Sequence, residues 1–112
     1  MAIAVGATRQ ILADAYTGSW SWLSQHTATP GSTGASEASG GGYARKQTTW
    51  GSGSNGVTTG SQVTFDLAAG TYTHTGGWTA SSAGTFRDGA AQTSTTLNVA
   101  GQILVTPTVT IS

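Results

Sequence analysis

The sequence predicts a mainly β protein, a β-sandwich of jelly-roll type with seven to eight short strands and one short N-terminal helix, folded as a single domain over residues 1–112. Three observations predict it. Threonine, a strand former, is the commonest residue at 21 of 112. Beyond Ser19 the apolar residues recur at every second position rather than every third or fourth. Glycine, proline and asparagine punctuate the chain at intervals of about 8–14 residues, the rhythm of a sandwich with tight turns.

The elements follow in order. The first seventeen residues are the helical candidate: Ala4, Ala7, Ile11 and Ala15 fall at helical spacing with Leu12 beside them, and Tyr16-Thr17-Gly18 is the stop. Trp20 and Trp22 then alternate with Ser19 and Ser21, a strand that runs out at Thr29-Pro30-Gly31. Residues 30–42 hold five glycines, one proline and no large apolar side chain, which predicts a long loop. Loops of that length are uncommon in compact domains and tend to be functional or packed against something. Strands are expected at Tyr43–Trp50, at Val57–Thr59, at Val63–Leu67 and at Thr71–Thr79, where Tyr72, His74 and Trp78 alternate with threonines. Gly51–Gly56 and Ser81–Gly84 are turns, the second leading into Thr85-Phe86. Leu97 and Val99 with Ile103 and Val105 predict a hairpin, and Val109 and Ile111 a last strand after Pro107.

Composition limits both core and partners. Gly, Ser, Thr and Ala make 67 of 112 residues, and Val, Ile, Leu and Phe only 17. So few aliphatics would suggest disorder if net charge were high, but the net charge is zero, and four Trp and three Tyr supply bulky anchors. The chain therefore folds on a thin core. Four basic against four acidic residues provide no field for nucleic acid or an anionic membrane. No cysteine means no disulfide framework or thiolate site. Ala2–Val5 is too short for the apolar part of a secretion signal, and nothing approaches the roughly 20 apolar residues of a span, so the chain reads as soluble. Charged residues are 7% of the chain against about 25% in ordinary soluble domains. Either the surface is largely covered by other subunits, or the chain is simply a threonine-rich β protein.

Catalytic and metal chemistry find little purchase. Gly51-Ser-Gly53-Ser-Asn-Gly56 spells the dinucleotide fingerprint, but no helix follows to hold a pyrophosphate, and Asp66 comes too soon for the ribose. His26, His74, Asp14, Glu37, Asp66 and Asp88 exhaust the usual ligand and acid–base types, and no two lie within four residues. No Gly-x-Ser-x-Gly elbow occurs. The expectation is no enzyme, no metal and no cofactor. Trp20, Trp22, Trp50 and Trp78 raise a sugar-binding alternative through stacking on exposed rings, set against their need as core or interface anchors.

The run from His26 through Pro30, Gly31, Gly34, Glu37, Gly40, Gly41, Gly42, Tyr43 and Arg45, continuing to Thr49-Trp50-Gly51, resembles small virion structural proteins of tailed phages, particularly of actinobacterial phages. Thr73-His74-Thr75-Gly76-Gly77-Trp78-Thr79-Ala80 and Gly84-Thr85-Phe86 agree. Members are labelled capsid decoration, minor tail or tail-fibre-like proteins. The resemblance implies a non-enzymatic component of the virion's outer surface. The expected role is capsid decoration on the phage major capsid protein as a homo-oligomer, for which trimers at local three-folds are the natural arrangement. A minor tail or tail-fibre-like component and a sugar-binding adsorption module are the alternatives.

Two positions depart from the family pattern. Thr29 replaces an Asp, removing a turn cap, and Gly77 replaces an apolar residue, loosening that strand. Apart from the resemblance, Pro30 and Gly31 fix a turn and Glu37 is placed to pair with Arg45 across the loop.

Overall fold

The computed structural model describes residues 3–51 and 53–112. Met1 and Ala2 of the helical candidate, and Ser52 of the Gly51–Gly56 turn, lie outside the described residues. One helix, α1 (Gly6–Thr17), precedes eight strands: β1 (Trp22–His26), β2 (Lys46–Gln47), β3 (Val57–Thr59), β4 (Val63–Leu67), β5 (Gly70–Trp78), β6 (Phe86–Leu97), β7 (Gly101–Val105) and β8 (Thr108–Thr110). The protein is mainly β, and every strand pair is antiparallel.

Strands order β2-β1-β5-β6 in a four-stranded sheet, facing two two-stranded ribbons, β3-β8 and β4-β7. β4 alternates buried and exposed residues, Val63, Phe65 and Leu67 inward and Thr64 and Asp66 outward, as a strand with one wet face must. With Trp20, Leu23, Ala38 and Tyr72 these three make the core, and Tyr16, Tyr43, Trp50, Leu97, Ile103, Val105 and Val109 pack around it. β1 is different: Leu23, Ser24, Gln25 and His26 are all buried. Leu23 and Gln25 face the core side, while Ser24 and His26 face the 30–42 loop, which covers the sheet's other face.

Three expectations are corrected. The strand foreseen over Tyr43–Trp50 contracts to Lys46–Gln47 with an isolated bridge from Trp50 to Gly60, because Tyr43 and Arg45 turn into the loop instead. The twelve-residue β6 extends far past Thr85-Phe86; its Gly-Ala-Ser-Thr composition carries no apolar alternation to announce it. The hairpin of Leu97 and Val99 with Ile103 and Val105 does not form. Instead β7 pairs with β4, Ile103 opposite Phe65 and Val105 opposite Val63, and β8 pairs with β3. Pairing with β4 brings Ile103 and Val105 against the core, which a local hairpin would not.

Candidate functional site

The long loop is pinned to the sheet by one arginine. Arg45 donates from Nε and Nη2 to the two Glu37 carboxylate oxygens, both at 2.9 Å, and from Nη1 to the carbonyls of Ala80 at 3.1 Å and Ala83 at 2.8 Å. Its guanidinium carbon stands 3.6 Å from the centroid of the Trp78 ring. A planar fork with five N–H donors can meet these demands at once, which an ammonium cannot. Tyr43 Oη donates to Glu37 at 2.7 Å. Burial pushes the Glu37 carboxyl up, but the hydrogen bonds from Arg45 and Tyr43 outweigh it and leave its pKa lowered. Tyr43 is raised by burial and by its bond to the Glu37 anion.

The glycines of the loop allow contact with the sheet. Gly34 has φ +77°, and a Cβ there would meet Trp78 ring atoms at 2.4 Å; Gly41 has φ +64° and lies against the backbone of Ala68. Both conformation and space exclude other side chains. The buried Pro30 accepts through its carbonyl from Gly34 and Ala35, both at 3.0 Å. Gly31 donates to Thr29 Oγ1 at 3.4 Å, so Thr29 itself supplies a weak turn cap where an Asp was expected to be missed. Gly77 is likewise no loosening: a Cβ there would meet the Trp20 ring at 2.4 Å, and its absence seats that ring on β5.

Beneath the loop a chain of hydrogen bonds runs Trp78 Nε1 to Ser24 Oγ at 2.9 Å, Ser24 Oγ to His26 Nε2 at 2.7 Å, and His26 Nδ1 to the Ala35 carbonyl at 2.7 Å. The ends fix the tautomer. A carbonyl only accepts, so Nδ1 carries the proton; the indole only donates, so the serine hydroxyl must donate to Nε2. A neutral imidazole satisfies every group, and burial lowers the His26 pKa. Ser24 and His26 have the proximity of a nucleophile and base, yet both are fully buried and the hydroxyl is held by Trp78. The arrangement fastens loop to sheet.

The other face holds Gln25, whose amide exchanges hydrogen bonds with Gln92 at 3.2 and 2.8 Å and donates to Thr75 at 3.1 Å. The sequence pattern did not single out Ser24, Gln25 or Gln92; buried polar residues in a threonine-rich chain leave no periodic signal. His74 sits opposite His26 in register, its Nδ1 2.8 Å from Thr73 Oγ1. Among the described residues no three His, Asp or Glu converge as a metal site.

Trp20 and Trp78 are each 8% exposed, so neither ring offers a face for a sugar. Trp50 donates to the Trp20 carbonyl at 2.8 Å and meets the Trp20 ring edge-to-face at 5.1 Å. They border an open groove of about 260 Å³ with Leu23, Val105 and Pro107, ending at Asp88, which accepts from Tyr16 Oη at 2.6 Å.

Of the residues singled out from sequence, the loop cluster thus unites Pro30, Gly31, Gly34, Glu37, Tyr43, Arg45 and Trp78. Gly41 anchors the loop's far end, and Trp50 lies apart in the core rim. The family model for Podophage GP4 fiber I protein gp80 matches residues 11–112, which takes in the loop, its clamp and all eight strands. No curated protein matches the chain. The clamp, the buried polar chain and the strands that carry them all fall within the matched span, and the chain belongs to the podophage GP4 fiber I protein gp80 family, a family of phage structural proteins.

Proposed function

We propose that this protein is a non-enzymatic subunit displayed on the outer surface of a phage virion, acting as a short fibre or fibre-associated component. The family match over residues 11–112 is the observation that carries the reading. The use of the polar cluster supports it: Ser24, His26, Glu37 and Arg45 are all engaged in fastening a loop. Copies of the chain associate with one another, because a surface so poor in charge suits coverage by neighbours better than free existence.

Capsid decoration on the major capsid protein is the second reading, favoured by a specific feature. α1 is twelve residues long, no sequence repeat builds a shaft, and the domain reaches only 47 Å in its longest dimension. Labelling purified particles with a gold-conjugated antibody separates the two. Label on the tail or its appendages, with few copies per particle, supports the fibre reading; hundreds of copies over the head replace it with decoration.

A further inference from the structure

α1 is amphipathic the wrong way round. An ordinary surface helix turns its apolar stripe to the core and its polar face to water. Here the buried and half-buried positions are Gly6, Arg9, Gln10, Ala13, Tyr16 and Thr17, and hydrogen bonds hold that face down. Arg9 donates to the Asn55 carbonyl, Gln10 donates to Thr58 Oγ1 and accepts from the Gly56 amide, and Tyr16 donates to Asp88. Outward lie Ala7, Ile11 and Ala15, the spacing that marks the helix in the sequence, with Thr8 and Asp14 beside them and Leu12 on one flank; all of these are exposed. Ile11 is 67% and Leu12 42% exposed, and among the described residues no other helix or strand shows two large apolar side chains to solvent.

The charges on this helix point to what covers the face. Arg9 is turned inward, so the outward face has nothing basic for an anionic lipid or a nucleic acid; its one charge is Asp14. Asp14 stands near the C-terminal end of its own helix, where an anion opposes the helix dipole. The other end has the opposite lack: the first turn holds no acidic residue, and Val5 at the N-cap supplies no side-chain hydrogen bond. An anion is favourable there. Gln10 occupies Oδ1 of Asp14, which leaves Oδ2 to face outward partners. Each α1 thus carries a misplaced anion and an uncapped N-terminus, and a second α1 laid antiparallel brings one against the other twice.

We propose that two copies pair through α1, antiparallel about Ile11, in an isologous contact. Ile11 meets its counterpart on the two-fold axis. Thr8 of each copy lies beside Ala15 of the other, and Asp14 lies beside the other's first turn at Ala7. The alanines at 7 and 15 let the helices approach closely around the single large residue between them. α1 is about 18 Å long, and such a contact falls short of the about 800 Å² per partner of a standard interface. The pair is therefore weak in solution and gains from the high local concentration of copies on a particle. The inference rests on the self-association proposed above and assigns its surface.

Sedimentation velocity on the full chain, over a hundredfold concentration range reaching millimolar, tests it. The wild type is expected to pass from monomer to dimer. Ile11→Lys should raise the dissociation constant at least tenfold with unchanged circular dichroism, whereas Leu104→Lys, at an exposed position on β7, should leave it unchanged. The chain has no cysteine, so introduced cysteines report the register without touching the polar face. Thr8→Cys mixed with Ala15→Cys should oxidise to the cross-linked heterodimer. Ala15→Cys alone should not cross-link, because its two copies stand about 12 Å apart along the helix axis, too far for a disulfide. Association indifferent to Ile11→Lys, or a cross-link between two copies of residue 15, overturns the assignment alone. A wild type that stays monomeric throughout overturns the self-association on which it rests.

Discussion

Replacing Arg45 with alanine should release the loop, and the structure sets the size of the effect. The Arg45 side chain is 8% exposed and Glu37 is 23% exposed, so this is a mostly buried, bidentate pair. Removing one partner of a buried pair costs about 3–5 kcal/mol, and the partial exposure of Glu37 places the loss near the lower end, about 3 kcal/mol. Arg45→Lys keeps the charge but loses the fork and its seat over Trp78, for about half that loss. In a domain of this size, 1 kcal/mol corresponds to about 4 °C in Tm. Near-ultraviolet circular dichroism, which reports the tryptophans, should therefore melt about 12 °C lower for Arg45→Ala and about 6 °C lower for Arg45→Lys. Glu37→Gln added to Arg45→Ala should cost little more, because the pair acts as a unit. An Arg45→Ala protein melting within about 2 °C of wild type, or strictly additive losses in the double variant, would refute the clamp. Acid probes the same contact. The folded Glu37 pKa lies below its ordinary 4.5, so its contribution is intact above that value and disappears as pH falls through the folded pKa.

Further measurements address other contacts. His26 has a folded pKa below its ordinary 6.5, lowered by burial; the unfolded chain takes up the proton first, so stability is full above about pH 6.5 and declines as pH drops below it. An NMR titration of His26 with an ordinary midpoint would contradict this. Gly77→Ala forces a Cβ into the Trp20 ring and should cost about 1–3 kcal/mol with a shift in tryptophan emission; an unchanged melt would mean the ring has room to move. Ala83 is held at φ 52°, so Ala83→Gly should relieve strain and raise Tm by a few degrees, about 1 kcal/mol; a lowered Tm would count against strain there. Self-association of a chain with so few charges should change less than about twofold between low and moderate salt, and a steep loss would point to charged contacts instead.

Much of the fold was legible because its signals are local. The helix stop at Thr17-Gly18, the 63–65–67 alternation and the Pro30-Gly31 turn are each read from a few neighbouring residues. The Glu37–Arg45 pair was legible too, since each charge in so neutral a chain has few candidates. What escaped depends on distant partners. β7 had two possible mates, and its sequence alone could not show that Phe65 and Val63 offer more buried area than Leu97 and Val99. β6 escaped because it has no buried face to set a period. Gly77 looked like a weak point because the ring that needs its missing Cβ lies fifty-seven positions away in sequence, at Trp20.

The scarcity of charge also means something more specific than a neutral surface. Arg9 donates to the backbone carbonyls of Ile3 and Asn55, Asp14 accepts from Gln10, Asp66 from Gln102 and Asp88 from Tyr16, while Glu37 and Arg45 hold each other. Five of the eight charges thus tie one segment of the chain to another, and Asp14 braces α1 within itself, in a protein whose thin core gives the segments little else to share. That use commits charge to partners within the chain and leaves little of it free on the surface, where unpaired charge would ordinarily keep copies apart. The economy that lets a core this small hold a fold is therefore the same one that leaves the surface with few free charges. Lysines added at exposed positions outside these bonds should weaken association without touching any of the internal fasteners.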